Sequence, residues 1–297
     1  MVCFGYNKKG DAEMKKIIIS VIAVTFVIGA IALFYGCNKA TDDKNTDSSN
    51  LSGSITLSGS TSVQPLASAL AEAFMGIHDG VTIDIQVGGS AVGISDAMAK
   101  KVDFGMSSRE LKPEETGLNQ TTIAFDGIPV IVNKNVTVSN LTTQQLKDIY
   151  TGKIKNWSEV GGTAGAIVVV GRDAASGTRG AFEELLKIDG KSPNPKAVYA
   201  QEKDSTGAVK ATVQSTANSI GYVSLESIDS TVKALTLNNI AATPETVKDK
   251  SYLLVRPFLL VNSKDATLST AAAAFVNFIL SDDGQKIVTD QKFVSVN

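Results

Sequence analysis

Cysteine is almost missing from this 297-residue chain, which has only Cys3 and Cys37 and none beyond. That excludes a disulfide framework and a thiolate metal site in the body. Histidine occurs once, as His78 beside Asp79-Gly80 in a polar turn. Zinc clusters and serine–histidine triads therefore lack their usual parts, and the expectation is no enzyme, no metal and no cofactor. There is also no surplus of positive charge: 28 basic residues face 30 acidic ones, for a net charge of -2. With no basic tract in the body, nucleic-acid binding has little electrostatic support. No Gly-x-x-x-x-Gly-Lys-Ser/Thr segment occurs, so the phosphate loop of nucleotide-binding proteins is absent. A faintly acidic protein that captures an anion must hold it by local geometry, since its overall field would not draw the anion in.

The one long apolar run covers residues 17–34, behind Lys15 and Lys16 and ahead of Gly36-Cys37. A positive start, an apolar stretch and a small residue before a cleavage point make the order of an export signal. At 18 residues the run also reaches the lower limit for a membrane span, which leaves an uncleaved anchor as the alternative. Residues 1–36 are thus expected to be an upstream extension and signal peptide, with Met14 as the working start. Residues 37–53, rich in Asn, Asp, Ser and Thr, are expected to form a flexible tether. The ending Leu33-Phe34-Tyr35-Gly36-Cys37 resembles the lipobox of bacterial lipoproteins, which would make Cys37 a lipidated mature N-terminus.

In the body, apolar runs alternate with helical patterns. Strand-like stretches at 54–57, 81–87 and 102–106 alternate with helices over about 64–74 and through Ile94, Ala97 and Met98. The series points to a largely parallel sheet with helices on its faces. Two long apolar runs, 123–132 and 252–261, are interrupted by Asp126-Gly127 and by Arg256-Pro257. Both suit strands that pass between two lobes. The expected division is 54–130 and 256–297 for the first lobe and 131–255 for the second, with a polar tail after a last helix at 271–280. The fold class this implies is α/β and two-lobed, with a cleft at the carboxyl ends of strands.

Three loops of glycines and small polar residues follow strands: Gly59-Ser60-Thr61-Ser62, Gly88-Gly89-Ser90 and the stretch from Arg172 to Arg179 containing Ser176-Gly177-Thr178. Ser60, Thr61, Ser62, Ser90 and Ser176 can be simple helix caps. They can also present hydroxyls and unpaired N–H groups to an anion where helix dipoles favour negative charge. Arg172 ends a strand and can grip two oxygens at once, while Arg179 can equally brace the surface. Asp126 either caps its Asp-Gly turn or accepts a hydrogen bond from a ligand that still carries a proton, which hydrogen phosphate does and sulfate does not. Trp157 reads as a core anchor.

Together with Phe104-Gly105-Met106-Ser107-Ser108-Arg109, Phe125-Asp126-Gly127-Ile128 and the segment from Leu146 to Trp157, these residues resemble the PstS family of phosphate-binding lipoproteins. The resemblance spans the whole body. It implies a type II periplasmic-binding-protein-like fold that closes on one inorganic phosphate outside the cytoplasmic membrane. Delivery to the permease subunits of a phosphate ABC transporter with a cytoplasmic ATPase would follow, from a lipid anchor in the membrane. The family's ligand residues carry over onto Thr61, Ser62, Ser90, Arg172, Ser176, Gly177 and Thr178. Ser108 stands where the best-known branch has the proton-accepting aspartate, which leaves Asp126 as the candidate for that role. The alternatives are another tetrahedral oxyanion, sulfate or molybdate, and a phosphate-sensing surface protein on the same scaffold.

Overall fold

The computed structural model describes residues 51–297; the expected signal peptide, Cys37 and the expected tether as far as residue 50 lie outside the described residues. The chain runs β1 (Ser52–Gly59), α1 (Gln64–Ile77), β2 (Gly80–Val87), α2 (Ser90–Met98), β3 (Phe104–Ser107) and β4 (Leu118–Gly127). It continues through β5 (Val130–Val132), β6 (Asn140–Leu141), α3 (Thr143–Tyr150), β7 (Val168–Arg172), α4 (Gly177–Leu185), β8 (Gln201–Lys203) and α5 (Thr206–Ser215). Then come β9 (Ser219–Tyr222), β10 (Lys233–Ala234), β11 (Thr236–Leu237), α6 (Pro244–Lys248), β12 (Val255–Ser263), α7 (Thr270–Leu280) and α8 (Asp282–Asp290).

Ten of these strands build two five-stranded sheets, in the orders β2-β1-β3-β12-β4 and β10-β5-β9-β7-β8, and β6 and β11 pair as a two-stranded one. In the first sheet β1, β2 and β3 are parallel, whereas β12 runs antiparallel to both β3 and β4. The second sheet has parallel β7, β8 and β9, with antiparallel β5 and β10 beyond β9. Both sheets are therefore mixed, where alternating strand and helix patterns predict largely parallel ones. β4 carries the chain out of the first lobe and β12 brings it back, so the two run in opposite directions and pair antiparallel.

The chain passes between the sheets twice, after β4 and before β12. The crossings are tied side by side by the Ile128 N–H bonding to the Leu254 carbonyl at 2.8 Å. One apolar core joins the first sheet to α1 and α7 through Leu66, Leu70, Phe74 and Phe275. Leu66, Leu70 and Phe74 recur at helical spacing, and Pro65 begins the helix where no N–H is needed. A second core gathers Leu146, Ile149, Tyr150, Trp157, Phe182 and Tyr222. Trp157 anchors it and donates its indole N–H to the Asn218 carbonyl at 2.9 Å, so the distinctive segment between Leu146 and Trp157 packs the second lobe. The expected polar tail is instead α8, whose Val288 and Gln285 are buried against the first lobe. Its few apolar residues hide the helix from a pattern read by composition.

Candidate functional site

Four helix N-termini meet between the two sheets, those of α1 and α2 from one side and of α4 and α5 from the other. The Ser62 hydroxyl, just before α1, lies 2.9 Å from the Thr178 hydroxyl at the start of α4 and 2.8 Å from Thr206 Oγ1 at the start of α5. Thr61 Oγ1 accepts from the Thr206 N–H at 3.4 Å. The Ala91 N–H of α2 bonds the Ala175 carbonyl ahead of α4 at 3.0 Å. Gly177 is packed so tightly that an added Cβ would stand 2.1 Å from Ser90 Oγ and 2.8 Å from Ser108 Oγ. The two lobes are in contact here, and only glycine fits.

Ser60, Ser62, Ser90, Ser108, Arg172, Ser176 and Thr178 are all buried, and Thr61 is half-buried. Buried hydroxyls must be partnered, and these partner one another. Ser60 Oγ accepts from the Ser62 N–H at 3.2 Å and donates to Ser108 Oγ at 2.9 Å. Ser90 Oγ accepts from the Ser108 N–H at 3.1 Å. Ser176 caps α4 by accepting from the Arg179 N–H at 3.2 Å. Among the described residues, the Gly177 and Thr178 N–H groups at the head of that helix have no acceptor.

Arg172 closes the cage from the end of β7. Its guanidinium donates to the Lys203 and Asp204 carbonyls at 3.2 and 2.8 Å and to Thr206 Oγ1 at 3.3 Å. Burial pulls it below the usual arginine range, only partly opposed by the nearby charge of Asp173. The other buried arginines each bond a carboxylate: Arg109 bonds Glu115 and Arg256 bonds Asp126. Arg172 has no carboxylate within bonding distance among the described residues. A buried cation without a counter-ion is costly until an anion joins it. Arg179 is the brace. It pairs with Glu183 and Glu202 at 2.8 Å each and holds the Arg172 carbonyl.

Asp126 does not present the unpaired acceptor that the sequence leads one to expect. Its Oδ2 accepts from Arg256 Nε at 3.0 Å, Arg256 Nη2 at 2.7 Å and the Ser224 hydroxyl at 2.9 Å. Its Oδ1 accepts from the Leu225 N–H at 3.1 Å. Asp126 and Arg256 face each other directly in the β4–β12 register. Burial raises the Asp126 carboxyl and lowers the Arg256 guanidinium, each against the pull of its partner. Sequence reasoning noticed both interruptions without pairing them. It also missed Thr206, although Asp204-Ser205-Thr206-Gly207 has the same small polar character as the other loops.

The comparisons with known proteins agree with this geometry. The PBP superfamily domain of the PBP-like 2 type matches residues 44–283. The phosphate-binding protein PstS of Bacillus subtilis is 31% identical over 297 residues, covering 96% of this chain and 95% of that protein. The chain belongs to the PstS family. PstS of Borreliella burgdorferi is 28% identical over 95% of this chain and 99% of its own length. Among solved structures, a Clostridium perfringens protein assigned to phosphate ABC transport and crystallised with bound phosphate is 44% identical. It superposes with a TM-score of 0.78, covering 82% of this chain and all of the other. An ABC-type phosphate transport receptor of Vibrio cholerae is 34% identical with a TM-score of 0.68, over 81% of this chain and 99% of that one. The PstS fold is a two-lobed type II binding-protein fold, and its members are binding proteins rather than enzymes.

Proposed function

We propose that this chain binds one inorganic phosphate in the cage between its lobes. It then hands the ligand to the permease subunits of an ABC importer powered by a cytoplasmic ATPase. The observation that carries the reading is Arg172, a buried guanidinium with no carboxylate partner among the described residues, set among helix N-termini and hydroxyls. A tetrahedral oxyanion replaces the hydroxyl-to-hydroxyl bonds of Ser62, Thr178 and Thr206 with charge-assisted ones and takes up the Gly177 and Thr178 N–H groups. Ser60, Thr61, Ser90, Ser108 and Ser176 complete the shell, whereas Asp126 acts from behind it. With its carboxylate engaged by Arg256, the ligand's proton falls to a hydroxyl acceptor on the Ser60–Ser90–Ser108 side. The protein works on the extracytoplasmic face of the membrane, held there by a lipid on Cys37. The family resemblances and the export-signal pattern of residues 15–37 support that placement.

Calorimetric titration of the protein without residues 1–50 with phosphate, arsenate and sulfate tests the reading. Phosphate and arsenate are expected to bind alike, and sulfate more weakly. Heat from sulfate alone would move the protein to a different oxyanion. A neighbouring permease gene pair and ATPase gene would separate transport from sensing.

A further inference from the structure

Arg256 lies outside every loop that sequence reasoning marks for the anion, yet its side chain reaches the cage. The Nε and Nη2 edge of the guanidinium is spent on Asp126 Oδ2. The remaining nitrogen, Nη1, donates to Thr178 Oγ1 at 2.6 Å and to the Ser108 carbonyl at 3.3 Å. One planar group thus touches the first lobe at Ser108 and the second at Thr178, from a strand that begins at the lobe crossing. All the participants are buried.

We propose that Arg256 is a positioning residue for the ligand: it holds the Thr178 oxygen so that the Thr178 hydroxyl donates its hydrogen bond to the bound anion, and Asp126 fixes Arg256 for that task. The inference rests on the phosphate-binding reading above. Its chemistry follows from the hydroxyl, which both donates and accepts. A cation bonded to the oxygen occupies acceptor capacity and polarises the O–H, so the hydroxyl is a stronger donor toward an oxyanion. A second consequence concerns the ligand's own proton. An oxygen of the anion that faces Thr178 must be unprotonated, so a P–OH group points away from Thr178, toward the serine side of the cage. Asp126 contributes through this geometry and not by contact with the ligand.

The test is a double-variant cycle read by phosphate titration. Thr178→Val removes the hydroxyl at nearly constant shape and is expected to weaken phosphate binding about 10- to 100-fold. The same change is then made in Arg256→Gln/Asp126→Asn, where neither charge is left buried alone. It is also made in Arg256→Lys, whose single ammonium cannot span Asp126 and Thr178 together. If Arg256 works through Thr178, then Thr178→Val costs less than about 3-fold in either background, since coupled sites do not add. Equal losses in all backgrounds would overturn the proposal and leave Arg256 as structural scaffolding. Circular dichroism melting confirms that each background is folded, and Arg256→Lys keeps the test available if the charge-free pair does not fold. Failure of the wild-type protein to bind phosphate would instead defeat the phosphate reading itself, an outcome distinct from an additive cycle.

Discussion

At the scale of single residues, the site is defined by which buried charge is paired. Arg109 and Arg256 have carboxylate partners, and Arg172 has only carbonyls and a hydroxyl. Arg172→Ala is therefore expected to weaken phosphate binding by about 2–5 kcal/mol, the range for losing a desolvated charge-assisted contact. Arg172→Met, which keeps most of the buried volume, should show a similar loss in titration. Wild-type affinity in either variant would place the ligand elsewhere. Thr206 bonds both Ser62 and Arg172, so Thr206→Val should cost about 0.5–1.5 kcal/mol of affinity. An unchanged affinity would reduce Thr206 to a helix-start residue.

At the scale of elements, helix starts and the segments beside them set the cage. The stretch after β3 is stapled by Arg109, whose Nη1 and Nη2 reach the two oxygens of Glu115 at 2.7 and 2.6 Å. Burial alone would raise the Glu115 carboxyl, but the bonds from Arg109 and the Lys112 N–H outweigh it and hold it below its usual 4.5. The folded-state value is thus lower than the unfolded one. The stabilisation is complete above the unfolded value and is lost as pH falls through the folded one. Melting temperature measured from about pH 6 down to about pH 3 should fall more steeply in wild type than in Glu115→Gln. Parallel curves would show that the pair adds nothing to stability. Close packing matters equally for α2. A Cβ on Gly105 would stand 2.2 Å from the Gly93 carbonyl, so the helix rests directly on β3 and brings Ser90 to the cage.

At the scale of the whole molecule, the lobes must meet closely for the hydroxyls to share a ligand. Gly177→Ala puts a methyl where Ser90 and Ser108 approach from the opposite lobe. Overpacking of that kind costs about 1–3 kcal/mol, and here it falls on the closed state. Phosphate affinity should drop accordingly, while the melting temperature without phosphate changes little because alanine suits the first turn of a helix. A loss of ligand-free stability as large as the loss of affinity would show that the glycine serves the fold of its own lobe. In wild type, phosphate at a hundred times its dissociation constant should stabilise the protein by about 2.7 kcal/mol, read as a rise in melting temperature.

The sequence by itself determined most of the longer helices and strands, though not α8, and most of the loops that line the candidate cage. Helix and strand periods depend on neighbours along the chain, and small polar residues after a strand mark a helix start wherever the helix later docks. The apolar face of α1 and the loops at Ser60, Ser90 and Ser176 were legible for that reason. Only the tertiary structure decided which charges find each other. Asp126 and Arg256 lie far apart in sequence, and the β4–β12 register alone sets them face to face. That pairing turned an expected free carboxylate into the support of a guanidinium. Thr206 likewise gained its place only when α5 met α1 across the cleft, a contact between chain segments that no local pattern encodes. Local propensity acts over a few residues, whereas the desolvation that makes a buried charge seek its partner exists only once the chain has folded around it.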